Sequence, residues 1–152
     1  MESITQAILT STLLCGTFDG IAASAQAATL RIPISRVWKG VASGLLGSCA
    51  LETGSGATAA LGLVLHFFIS LVISTIYVLA ALHVPFLIQR PFLAGALYGI
   101  TVFLVMNFVV LPLSRRPKRP FNLKFAATQL VIHIVVVGWS IALSAHHFLA
   151  AH

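Results

Sequence analysis

Four polar side chains lie inside long apolar stretches of this sequence: Asp19, His66, Asn107 and His133. A carboxylate near imidazoles can hold and pass a proton, because histidine changes charge near neutral pH. Imidazole also ligates zinc, copper and haem iron. An amide such as Asn107 only donates and accepts hydrogen bonds. Three uses of the set follow. It is a packed polar core that fixes helix contacts, or a proton or ion path with Asp19 as carboxylate and His66 or His133 as relay. The third use is a haem or divalent-metal site on the pair His66 and His133. Soluble-enzyme chemistry has little support, since the chain holds three acidic residues in all. It has no glycine-rich phosphate loop and no serine nucleophile elbow. We therefore expect a non-enzyme with no cofactor.

The composition says what must hold these residues. Of 152 residues, 59% are hydrophobic and 8% charged, with a mean hydropathy of +1.02. Soluble domains carry about 25% charged residues. A bilayer, by contrast, lets the outside of a fold be oily. Four segments suit the ~20 apolar residues that a membrane helix needs. They are residues 4–30, 57–82, 92–113 and 125–148, with Pro91 at a first-turn position. The expected fold is all-α, a single domain of four transmembrane helices. A Gly-rich segment over 37–51, containing Trp38, is too short to span. It is read either as an interfacial helix or as a re-entrant turn.

At ~1.5 Å rise per residue, the four polar residues sit roughly 12–18 Å from the span ends that carry the basic loops. Leaving them in hydrocarbon costs several kcal/mol, so all four are expected to face the bundle interior. The path reading needs more than four helices and so predicts a homo-oligomer or a larger membrane complex. The other histidines, His83, His146, His147 and His152, cluster at the opposite ends of the second and fourth spans. They read as interfacial polar residues rather than a metal site. Cys15 and Cys49 have no metal-like spacing and read as free thiols.

Orientation follows from the loops. The first and third hold Arg31, Arg36, Lys39, Arg115, Arg116, Lys118, Arg119 and Lys124, and the second holds only Arg90. Basic loops stay in the cytoplasm, so both termini are expected outside. The net charge of +6 thus reads as topology and attraction to anionic headgroups, carried most densely by Arg115, Arg116, Lys118 and Arg119. No aromatic interleaving accompanies it, which argues against nucleic acid. The first span lacks a basic leader and carries Asp19, so it is expected to be retained rather than cleaved.

The chain also looks duplicated. A shift of 79 residues lays the first span on the third, with six identities in 21 positions: Gly16 on Gly95, Gly20 on Gly99, Ile21 on Ile100, Pro33 on Pro112, Ser35 on Ser114 and Arg36 on Arg115. A shift of 67 lays His66 on His133. Each repeat is a helical hairpin, so a pseudo-twofold bundle is expected. Gly16, Gly20, Gly95 and Gly99 would give the first and third spans close-packing faces.

The stretches Leu65-His66-Phe67-Phe68-Ile69-Ser70, Leu93-Ala94-Gly95-Ala96-Leu97 and His133 with Trp139-Ser140-Ile141 resemble the YagU-like bacterial inner-membrane proteins. Tyr77, Pro85, Met106, Pro112 and Leu113 extend the match, which covers residues 65–143. The resemblance implies a location in the bacterial inner membrane and a multi-pass architecture. It supplies no catalytic residues to carry over. The favoured reading is a structural or accessory membrane subunit with a polar interior. The topology is open to a direct check. A single cysteine at Lys118, in a chain lacking Cys15 and Cys49, should react with impermeant maleimide only after the membrane is opened. Labelling from outside intact spheroplasts would reverse the orientation.

Overall fold

In a computed structural model, residues 1–118, 120 and 122–150 are described, and among them every regular element is helical. Four helices are long and apolar enough to cross a membrane, so this is a multi-pass membrane protein. They are α1 (Glu2–Thr29), α4 (Gly56–Ala81), α6 (Pro91–Leu113) and α7 (Leu123–Leu149). Three shorter helices connect them: α2 (Ile34–Leu46), α3 (Cys49–Glu52) and α5 (Pro85–Gln89).

Local chemistry sets the helix ends. The backbone N–H of Ser55 bonds to Thr58 Oγ1 at 3.1 Å, half of a capping box that starts α4. Asn122 Oδ1 accepts from the Phe125 N–H at 3.0 Å and starts α7. Proline opens α5 and α6, where its missing N–H costs nothing. After α1, Arg31 takes a left-handed backbone (φ 56°) and Pro33 begins a new direction. Segment 37–51 is mostly helical. It comprises the C-terminal part of the amphipathic α2, Gly47 with a left-handed backbone (φ 75°), and α3.

Each hairpin packs on itself, and α1 then packs on α7. Size is sorted in reverse of a soluble core. Large apolar side chains such as Leu13, Phe18, Val64, Phe68, Phe92 and Phe108 face outward, as lipid permits. Ala7, Ser11, Cys15, Ser43, Ser74, Ala142 and Ala145 fill the interior, with Tyr77, Val78 and Ile141 the largest buried side chains. Small residues let backbones touch. A side chain added at Gly99 would strike the His133 carbonyl, and one at Gly138 would strike the carbonyl of Gly95. One added at Gly62 would strike the carbonyl of Trp38 on α2. At Gly16 the obstacle is the Phe67 ring, 2.7 Å away at Cδ1. The expected glycines 16, 20, 95 and 99 thus stand at helix contacts within their own hairpins. Gly62 and Gly138 join them, although their partners are too distant in sequence for spacing to flag.

α6 and α7 each contain a wide turn, a π-helical segment at Met106–Val110 and at His133–Gly138 respectively. The second lies on the Gly95–Gly99 face of α6.

The glycine contacts predict unequal costs for equal changes. Gly138→Ala should lower unfolding stability in detergent by about 1–3 kcal/mol, since the backbone opposite cannot yield. Gly56→Ala should be neutral or slightly stabilising, because nothing lies within 4 Å of the added methyl. Thermal melts of the two variants side by side make the comparison.

Candidate functional site: two polar helix crossings

Asp19 is brought to His66, with Oδ2 4.0 Å from Nδ1 across the α1–α4 crossing. The other imidazole nitrogen, Nε2, donates to the Gly16 carbonyl at 2.8 Å. That carbonyl lies in the middle of α1 and only accepts, so Nε2 carries a hydrogen. The imidazole is walled by aromatic rings. Trp38 of α2 meets it edge-on at 5.4 Å between centroids, and Phe67 at 5.6 Å. Trp38 also lies 3.1 Å from where a methyl would stand on Gly20. The pair is half-buried: the His66 side chain is 14% exposed and that of Asp19 23%. Beside it an open groove of about 490 Å³ runs along α1 and α4, lined by Gly16, Gly20, Trp38, Leu63 and Phe67.

A second crossing lies two turns along α1, where Gln129 Nε2 of α7 donates to Gln26 Oε1 at 2.6 Å. The Gln129 carbonyl in turn accepts from His133 Nδ1 at 2.8 Å, and the His133 ring meets Phe103 at 5.6 Å. Among the described residues, no hydrogen bond or ring contact joins His133 to His66. The two imidazoles make their contacts at different crossings.

Asn107 departs from the expected interior position. It is exposed on α6, and its Nδ2 donates to the Phe103 carbonyl one turn earlier at 2.8 Å. A short amide that bonds to its own backbone needs no partner from another helix. Asp19 and His66 are thus the two members of the expected set that the fold brings into contact.

The ends of the bundle are tied by groups that the residue pattern did not single out. Tyr77 Oη donates to the Leu87 carbonyl at 2.9 Å and Tyr98 Oη to the Ile73 carbonyl at 2.6 Å. Their rings stack edge-on at 4.9 Å, joining α4, α5 and α6. At the same end His146 Nδ1 donates to the Ile88 carbonyl at 2.7 Å. Among the described residues, no three His, Cys, Asp or Glu side chains gather as a metal site. His152 lies outside the described residues.

At the basic end the Arg115 N–H donates to the Gly44 carbonyl at 2.9 Å, pinning the third loop to α2. Gly40 and Gly44 face Arg116 and Ser114. Arg119, expected with Arg115, Arg116 and Lys118 at the headgroups, lies outside the described residues.

Comparisons with protein families, with characterised proteins and with solved structures find no match to this chain.

The glutamine contact gives a quantitative prediction. In a double-mutant cycle of Gln26→Leu and Gln129→Leu, the coupling should be about 0.6 kcal/mol and at most about 1.7 kcal/mol, the average and the upper end for hydrogen bonds between membrane helices. Unfolding titrations in mixed detergent micelles supply the four free energies.

Proposed function

We propose that this protein is a structural or accessory subunit of the bacterial inner membrane, a non-enzyme whose buried polar groups fix helix packing. The observation that carries the reading is the division of those groups between separate crossings. Asp19 and His66 hold α1 to α4, and Gln26 and Gln129 hold α1 to α7. A transport path calls for a chain of polar groups through the bundle. Here, among the described residues, no hydrogen bond links one crossing to the other. The basic first and third loops support cytoplasmic placement of that end, with termini outside and anionic headgroups as neighbours. The resemblance of residues 65–143 to the YagU-like proteins supports the same location.

The two hairpins support descent from one duplicated unit. Gly20 lies against His66, and Gly99 against His133, the same pair of residues under the 79- and 67-residue shifts. In both, a glycine of the first helix receives the histidine-bearing turn of the second.

Asp19→Asn and His66→Ala should each lower the melting temperature of the purified protein. Neither should change proton flux in proteoliposomes, which should match protein-free vesicles. A pH-driven flux well above that of empty vesicles, abolished by both variants, would overturn the packing role in favour of a proton path.

A further inference from the structure

We propose that Asp19 and His66 form a one-proton site that latches α2 onto the bundle, and that loss of the proton loosens the latch. The inference rests on the packing role just assigned to the pair and adds a regulatory input to it.

The hydrogen on Nε2 is committed to the Gly16 carbonyl, 2.8 Å away. A neutral ring with that tautomer has a bare lone pair on Nδ1, the atom that faces Asp19. A lone pair opposite a carboxylate repels it. The arrangement is attractive only when one further proton is present. That proton sits either on Nδ1, as an imidazolium beside a carboxylate, or on Asp19, as a carboxylic acid beside an imidazole. Removing it leaves two acceptors face to face. The ring can swap tautomers and donate to Asp19, but it then abandons the Gly16 carbonyl. Each route breaks one of the two contacts that place the imidazole.

The imidazole is in turn part of the seat of α2. Trp38 packs on it edge-on at 5.4 Å and lies over Gly20, and the Trp38 carbonyl rests against Gly62 of α4. A displaced His66 ring therefore disturbs the side chain through which α2 reaches α1 and α4. Other titratable or charged groups on the packed elements are few near this point. Cys15 lies one turn before Asp19 on α1, Arg36 and Lys39 flank Trp38 on α2, and Arg116 reaches α2 at Gly40, while the nearest imidazole of α7, His133, is bonded to the Gln129 carbonyl at the other crossing. Both side chains are partly exposed, which leaves the proton a way in and out.

The test uses the full chain in lipid nanodiscs, with Trp139→Phe leaving Trp38 as the only tryptophan. Its emission should follow a one-proton curve across a pH scan, moving to the red as pH rises. His66→Gln keeps an N–H for Gly16 but cannot titrate, and the curve should be flat. Asp19→Asn should move the midpoint to lower pH, because the counter-charge is gone. A cysteine at Ala42, which is fully buried on α2, should react several-fold faster with maleimide above the transition than below it, in a Cys15→Ser, Cys49→Ser background. A flat curve in the parent, or an unchanged curve in His66→Gln, sinks the latch. If His66→Gln still melts early in that event, the packing role stands alone. If it melts like the parent, the packing role fails as well.

Discussion

Inside a bilayer two apolar helices gain nothing by leaving water, since lipid tails are as oily as leucine. What remains is contact itself: many weak dispersion terms that grow as backbones approach. This bundle is organised around that limit. Gly95, Gly99 and Gly138 bring α6 against α7 until carbonyls on one helix occupy the space a methyl would need on the other. Gly16 and Gly62 admit Phe67 and the backbone of α2 in the same way. Alanine and serine fill much of the rest of the interior around a few larger side chains such as Tyr77 and Ile141, and most bulky side chains are turned out to lipid. Remove the close approach and no hydrophobic collapse stands behind it to hold the helices in place.

Polar groups then act as locators rather than as the main adhesive. Each interhelical side-chain bond reaches something specific on a neighbour: a carbonyl at Gly16, Ile73, Leu87, Ile88, Phe92 or Ile141, or the amide of Gln26. Carbonyls inside a helix have a second lone pair to offer, so tyrosine and histidine can bond them without unwinding the backbone. Ser74 and Ser144 stand out from this pattern, buried with no partner for their hydroxyls among the described residues. The wide turns in α6 and α7 reorient side chains locally, and His133 begins one of them.

The four spans were legible because apolar length is a one-dimensional property, read without knowing which helix meets which. Small residues at a spacing of four were legible for the same reason, and the glycines at 16, 20, 95 and 99 all stand at contacts. Partnership was not. Gly62 and Gly138 are isolated in sequence, and their importance comes from backbones that arrive from elsewhere in the chain. Equal depth suggested one polar cluster of four. Depth says nothing of azimuth, and Asn107 points away while His133 serves another crossing. The glutamine pair went unremarked because both members lie near helix ends, where polar residues are ordinary.

The bond from Arg115 to Gly44 has a consequence for how the chain is made. The last carbonyls of any helix lack partners within it. Gly44 lies in the last turn of α2, and its carbonyl accepts from an amide beyond the third span. During synthesis α1, α2 and α4 are all complete before that amide exists. The first hairpin must therefore enter the membrane with this carbonyl left to water or headgroups. The second hairpin, already able to close on its own glycines, supplies the missing donor when it docks. The seam between the halves is thus closed late, and by backbone atoms that no substitution other than proline removes.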